Sequence, residues 1–280
     1  MEFRNFEKKL PFKELPPFQR DAVCLITGSQ AYDSFMGNAW SAFLLAKQSG
    51  FDIKFQSSAY PIEKSNLYIV PGVSGDVGLE KRPYMELLRR VREEGATAYF
   101  SVDDGAFSPF EEVFGVETEE RVTRTEAAEF QFAGKTFRIP SPFKTKLRAI
   151  GAEVLAVEKD GSPVFIRNKY GKGWIYMLTV PMEKHLGETP CVFAPDAPWR
   201  EIYKLIAEDV KARRHLFTDN PYITLTEHLE GETWWCVAIN NDVNEQKPDF
   251  KTAPGWKVSE AIEVMKPGTA SFMRMEKISK

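Results

Sequence analysis

The stretch from Asn66 to Gly105 constrains the fold of this chain more than any other. Asn66-Leu-Tyr-Ile-Val-Pro-Gly-Val-Ser-Gly75 reads as a buried strand closed by a Pro-Gly turn. Tyr84-Met-Glu-Leu-Leu-Arg-Arg-Val-Arg-Glu-Glu-Gly95 places Tyr84, Leu87, Leu88 and Val91 on one helical face, Arg and Glu on the other, and a glycine stop at the end. Ala96-Thr-Ala-Tyr-Phe-Ser101 is a second apolar run. Strand, helix and strand in that order make a βαβ unit, and a βαβ unit implies a parallel sheet. Enzymes of α/β class carry catalytic groups where such strands end. Here that position holds Asp103-Asp104-Gly105, with neither Cys nor Ser.

The flanking segments extend the pattern. Asp21-Ala-Val-Cys-Leu-Ile-Thr27 reads as a central strand. A loop from Gly28 to Gly37 leads into a helix over Asn38 to Gly50, with Ala39, Ala42, Phe43 and Ala46 at helical spacing. Phe51-Asp-Ile-Lys-Phe55 alternates as an edge strand does. The predicted order is β-α-β-β-α-β. After Phe114-Gly115 the period shortens to hairpins, around Ala133-Gly134 and around Lys159-Asp-Gly161, with a further strand over Gly173 to Val180 after the turn at Gly171. A single helix is expected over 197–214. From residue 217 about four alternating strands predict a small β-sandwich, over Tyr222 to Leu229, Glu232 to Asn240, Val258 to Met265 and Ala270 to Met275. The expected division is a lead-in over 1–20, an α/β domain over 21–216 and the β unit over 217–280. The Pro-containing lead-in reads as an extended joint to which an upstream segment would attach.

Composition narrows the function. At 280 residues the chain is long enough for a sizeable core, and 43% hydrophobic and 28% charged residues are globular values. A net charge of −3 without basic clusters argues against nucleic acid and anionic membranes as partners. The three cysteines, Cys24, Cys191 and Cys236, lack paired spacing, which suits reduced thiols and a cytoplasmic setting. No apolar run approaches a membrane span, and the charged N-terminus does not read as a signal peptide.

Candidate chemistry is sparse. Gly72-Val-Ser-Gly75 lacks the second glycine offset of a nucleophile elbow, so Ser74 reads first as part of a turn. A dyad of Cys191 with His185 or His215 would need a sharp strand-to-helix turn, and Cys191 sits in a Pro-rich loop. His228 completes the histidines, and no His, Cys and carboxylate group has metal-ligand spacing, so neither metal nor cofactor is expected. Asp103 and Asp104 are the candidates for acid-base work, or for capping a helix near Ser108. Trp234, Trp235 and Trp256 are candidates for stacking on carbohydrate, although adjacent Trp234 and Trp235 must point to opposite faces of a strand.

Several of these segments together resemble a known family. Phe43-Leu-Leu-Ala-Lys-Gln-Ser-Gly-Phe-Asp-Ile53, Leu67-Tyr-Ile-Val-Pro-Gly72, Val91-Arg-Glu-Glu-Gly95 and Val164-Phe-Ile-Arg-Asn-Lys-Tyr-Gly-Lys-Gly-Trp-Ile-Tyr-Met-Leu178 are similar to the region downstream of the catalytic barrel in multidomain glycoside hydrolases. Bacterial β-galactosidases with a trimerisation domain are the nearest type. The resemblance implies a flavodoxin-like domain similar to class I glutamine amidotransferases, followed by a small β-sandwich. It spans roughly residues 20 to 280. Two departures matter. The amidotransferase cysteine is absent from the turn at Asp103, and the catalytic barrel, which takes about 250 residues, has no counterpart before residue 20. The implied role is a non-catalytic accessory or oligomerisation region, with a glycoside hydrolase barrel or sister subunits as partners. The alternatives are a carbohydrate-binding module and a small stand-alone hydrolase built on Asp103 or Asp104.

Overall fold

The computed structural model describes residues 16–28, 36–75, 79–105, 110–194, 196–260 and 262–278. Most of the lead-in, most of the Gly28 to Gly37 loop and the expected helix start at Ser108 lie outside the described residues.

The first elements are β1 (Ala22–Ile26), α1 (Gly37–Gln48), β2 (Ile53–Ser57), β3 (Leu67–Val73), α2 (Lys81–Arg89) and β4 (Thr97–Val102), in the predicted order. Two details differ from the expectation. Pro71 and Gly72 lie inside β3 instead of turning out of it. A register irregularity between Val70 and Val73 separates β3 from β4 there, which removes the need for a ladder hydrogen bond from proline. The end of α2 widens into a π-helical turn over Arg90–Glu94 before Gly95, whose φ of 80° stops the helix.

Next come α3 (Phe110–Phe114), β5 (Val116–Thr123), β6 (Ala128–Phe132), β7 (Lys135–Ile139), β8 (Phe143–Ala149), β9 (Glu153–Val157), β10 (Pro163–Tyr170) and β11 (Gly173–Leu178). The β6–β7 and β9–β10 hairpins match the sequence reading. The β5–β8 pair was not anticipated. Most of the β5 side chains are exposed, so the segment has no apolar alternation to betray it. Cross-strand ion pairs join it to β8 instead, Glu120 to Lys146 and Glu117 to Arg148.

Among the described residues, the remaining helices are α4 (Met182–Glu188), α5 (Arg200–Ile206) and α6 (Glu208–Lys211). The single helix expected over 197–214 is thus broken. The break falls at the fully buried Ala207, with φ −101° and ψ 5°, and it re-aims the chain while Val210 stays in the core.

One seven-stranded sheet, in the order β2-β1-β3-β4-β11-β10-β9, forms the body. β2, β1, β3, β4 and β11 run parallel, and β10 and β9 each pair antiparallel with their predecessor. One face is covered by α1, α4, α5 and the β6–β7 hairpin, where Leu45, Phe137, Met182 and Tyr203 are buried. The other is covered by α2, α3 and the β5–β8 pair through Leu87, Phe114, Val116 and Leu147. Fully burying each large apolar side chain contributes about 1.5–3 kcal/mol.

The chain then enters a β-rich region. β12 (Leu216–Phe217), β13 (Ile223–Glu230), β14 (Thr233–Asn240), β15 (Lys251–Thr252), β16 (Trp256–Val258) and β17 (Ala270–Lys277) form a four-stranded antiparallel sheet, β13-β14-β17-β16, and a β12–β15 ribbon. Leu216 joins Leu225, Cys236, Met273 and Met275 in its core. The strand predicted over Val258 to Met265 is corrected. β16 ends at Val258, having paired only with Met275 to Lys277, and Met265 instead bridges to Gln246. No helix among the described residues is long and apolar enough to cross a membrane.

Candidate functional site at the carboxyl edge of the sheet

Side chains alternate along β4, so Tyr99, Ser101 and Asp103 share one side, the side covered by α1 and α4. All three are buried. Directly after β11, Pro181 starts α4 and carries Glu183 over the ends of β3 and β4. Glu183 is completely buried. Its carboxylate accepts hydrogen bonds from Tyr99 Oη at 3.0 Å, from Tyr203 Oη at 2.9 Å and from Ser101 Oγ. Ser101 Oγ in turn accepts from the Gly72 backbone N–H at 2.6 Å. Gly72 has φ +59°, and a Cβ there would stand 2.4 Å from Asn38 Nδ2, so the close approach of α1 to β3 requires glycine. Burial pushes the Glu183 carboxyl above its ordinary pKa, and the donated hydrogen bonds offset part of that rise.

Asp103 lies beside this network. Its Oδ2 accepts a charged hydrogen bond from Lys184 Nζ at 2.6 Å, and its backbone N–H donates to the Val73 carbonyl at 2.9 Å. Its Oδ1 is buried without a hydrogen-bond partner among the described residues, as is Asn38 Oδ1. Burial pulls on the Lys184 ammonium, but the charges of Asp103, Glu188 and Asp104 outweigh it and hold its pKa above the usual value. Asp104 is exposed. Its Oδ1 accepts from the Gly75 N–H at 2.6 Å, pinning the end of β3, and its carbonyl accepts from Arg121. The two aspartates are therefore split between a buried acid paired with a half-exposed lysine and a loop pin.

The sequence pointed to Asp103 and missed Glu183, Tyr99, Ser101, Lys184 and Tyr203. The signal that would have found part of the cluster is the polar residue at every second position of β4. Glu183 comes from far along the chain, and nothing local marks it.

The other candidates are dispersed. Ser74 stands half-buried beyond β3. His185 pairs with Thr189 and packs against Trp199. Cys191 is exposed with φ +56°, and no hydrogen bond joins it to His185 or His215. His228 bonds to the Pro16 carbonyl and to Thr226. His215 lies in the β-rich region, where its Nδ1 is 2.9 Å from Glu227 Oε2. Trp234 and Trp256 close on the His215 ring, at centroid distances of 4.6 and 4.3 Å. Trp235 lies stacked on Phe272 at 4.8 Å. The structure thus groups Trp234 with Trp256 around a histidine and sets Trp235 apart, in keeping with the opposite faces expected of neighbours on a strand. Among the described residues, no group of three or more His, Cys, Asp or Glu is placed to hold a metal ion.

No protein-family model matches this sequence, and no curated protein matches it. Solved structures do. A β-galactosidase from a Rahnella species superposes with a TM-score of 0.68 at 13% identity, over 94% of this chain and 42% of that one. A catalytic mutant of a GH42 β-galactosidase from G. stearothermophilus gives 0.66 at 13% identity, over 93% and 40%. An α-L-fucosidase isoenzyme from Paenibacillus thiaminolyticus gives 0.64 at 8% identity, over 94% and 49%. At such identities the likeness is one of fold. The chain spans about two fifths of the length of the β-galactosidases, and in that sense it resembles part of a glycoside hydrolase.

Proposed function

We propose that this chain is an accessory and assembly region of a glycoside hydrolase, without hydrolytic activity of its own. The observation that carries the reading is the match of over nine tenths of the chain to about two fifths of β-galactosidases. The sheet order β2-β1-β3-β4-β11 is the flavodoxin-like order, which supports the amidotransferase-like assignment of the α/β part. The carboxyl edge supports the absence of hydrolysis. The residues directly after β4, Asp103-Asp104-Gly105, include neither Cys nor Ser, Glu183 is fully buried among three hydroxyls, and Asp103 is paired with Lys184.

An assembly role needs a surface. Trp40 and Phe43 stack at 5.7 Å on α1, and Phe55 joins them from β2, the outermost strand of the sheet on that side. Trp40 is 59% exposed. Such a patch suits a barrel or a sister subunit. Light scattering over a wide concentration range is expected to show a dimer or trimer of the purified chain. Substituting Trp40→Ser together with Phe55→Ser is expected to lower that mass while the fold is kept, at a stability cost of about 1–3 kcal/mol from the two lost aromatic contacts. A monomer at every concentration would remove the self-assembly arm. Hydrolysis of nitrophenyl glycosides that disappears in Asp103→Asn or Asp104→Asn would replace the whole reading with a small hydrolase.

A further inference from the structure

A second concave feature lies away from Asp103. A cleft of about 670 Å³ runs between the loop after β2 and the outer face of α2. Its apolar surface comes from Tyr60, Pro61 and Ile62 on one side and from Met85 on the other. Tyr60 is 68% exposed and Met85 49%, so a ring and a thioether are open to a ligand. The volume falls within the usual range for small-ligand sites. The upper end meets the sheet where β1 and β2 finish, for the Ser58 N–H donates to the Ile26 carbonyl at 2.9 Å. The strand order reverses nearby, between β1 and β3, and open α/β sheets bind ligands outside the carboxyl ends of strands at such a switch point.

The polar lining is unbalanced. Three guanidinium groups, on Arg82, Arg89 and Arg90, stand against two carboxylates, on Glu80 and Glu86. The hydrogen bonds locate the excess positive charge. Arg90 donates to Glu86, to Tyr68 Oη at 3.0 Å and to the Ile62 carbonyl at 2.8 Å. Arg89 gives Glu86 two bonds of 2.9 Å and also reaches Glu94, outside the cleft. These bonds, Arg89's foremost, hold the Glu86 carboxyl down at about 2, so Glu86 is an anion already engaged by its own arginines. Glu80 is turned to the upper end. Its Oε2 accepts from Ser58 Oγ, and its Oε1 stands 2.8 Å from where a Cβ on Gly28 would be. Arg82 stands apart. It is exposed, and its guanidinium has no hydrogen-bonding or ionic partner among the described residues. The uncommitted polar group beside the apolar walls is therefore a planar fork of donors, the shape that pairs bidentately with a carboxylate.

We propose that this cleft binds a small monocarboxylate with an apolar, ring-sized body. The carboxylate would pair with Arg82, and the body would lie over the Tyr60 ring and Met85. A neutral ligand leaves the Arg82 charge unanswered, and a cation meets it with like charge. A dianion brings a second negative charge to a cleft whose other guanidinium groups are engaged and whose carboxylates, Glu80 and Glu86, would repel it. The site rests on the cleft alone and not on the accessory reading.

The test is titration of the whole chain with phenylacetate, followed by isothermal calorimetry and by proton saturation-transfer NMR, beside its neutral counterpart phenylacetamide and the ringless acetate. Phenylacetate is expected to bind in the millimolar range, and either counterpart about tenfold more weakly. Arg82→Ala should weaken phenylacetate binding about tenfold, through loss of the charged hydrogen bonds, and Tyr60→Ala about threefold, through loss of the stacking surface. Lys81→Ala removes an exposed charge next to Arg82 but outside the cleft lining, and should change binding by less than about twofold. All three side chains are exposed, so the variants keep the fold, which circular dichroism checks. The proposal is overturned if phenylacetate does not bind, if phenylacetamide binds as well as phenylacetate, or if Arg82→Ala binds as the parent does. Equal losses in Lys81→Ala and Arg82→Ala would also overturn it, because they would show general attraction to surface charge and not a site. None of these failures touches the accessory reading, which is decided by assembly and hydrolysis.

Discussion

Replacing Arg214 by alanine is expected to destabilise the protein by about 3–5 kcal/mol, the largest loss from any single substitution considered. Arg214 has a side-chain exposure of 0%. It follows α6 and binds two carboxylates at once. Its Nη2 reaches Asp21 and lies 2.6 Å from Asp52 Oδ2, and its Nε lies 3.2 Å from Asp21 Oδ2. Asp21 also accepts from the Asp52 backbone N–H at 2.7 Å, so the guanidinium neutralises two linked acids at the amino end of the sheet. Burial works against the charge on Arg214, but the two aspartates outweigh it and raise its pKa. Deleting it leaves two buried negative charges, and among the described residues the remaining cation paired with either is Lys47, on Asp52. The residue also anchors the joint. Its neighbours His215 and Leu216 donate their backbone N–H groups to Glu227 of β13, at 2.7 and 3.0 Å. Urea unfolding of Arg214→Ala should therefore show a much lower midpoint, and proteases should cut first near residues 212–220. A loss below about 1 kcal/mol would mean that the triad contributes little beyond its own desolvation cost.

Replacing Glu183 is expected to have the next largest effect, and the effect should depend on pH. In Glu183→Ala three buried hydroxyls, on Tyr99, Ser101 and Tyr203, lose their acceptor. Each buried hydroxyl left unpaired costs about 1–3 kcal/mol, and repacking recovers part of it, so a net loss of about 3 kcal/mol is expected. Glu183→Gln keeps the shape and removes the charge. Because the folded pKa of Glu183 is raised, the native state holds its proton more tightly than the unfolded chain. The stability gained from that proton is complete below the ordinary glutamate pKa, 4.5, and is lost as pH climbs through the raised folded value. Glutamine does not titrate. The penalty of Glu183→Gln relative to the parent should therefore be greatest near pH 4 and shrink as pH rises to 8. A penalty that grows with pH would show that the carboxylate is the favoured form in the fold, contrary to the burial argument.

The parts of the fold legible in the sequence are those whose pattern is local and apolar. The helix faces of Tyr84, Leu87, Leu88 and Val91, the buried run at Leu67 to Val70 and the glycine turns of the hairpins all appear where the periodicity puts them. What failed is instructive for the same reason. The exposed β5 strand has partners but no apolar alternation, the helix over 197–214 breaks at an alanine that packing turns aside, and the Val258 to Met265 strand stops after its first residue.

The candidate sites follow the same division. Asp103 is legible because the end of a parallel strand is a recurrent place for polar chemistry. Its partner Lys184 is 81 positions away, Glu183 is 82 from Ser101, and Arg214 is 193 from Asp21. Local periodicity carries no information about such pairings. By itself the sequence determined that a parallel α/β sheet would form, that a β-rich region would follow it and that the strand-end nucleophile position would hold aspartate. Only the tertiary structure decided which carboxylates are buried, which cations neutralise them and where a cleft remains open. Those outcomes depend on which distant side chains share a low-dielectric interior, and that is set when the helices close over the sheet.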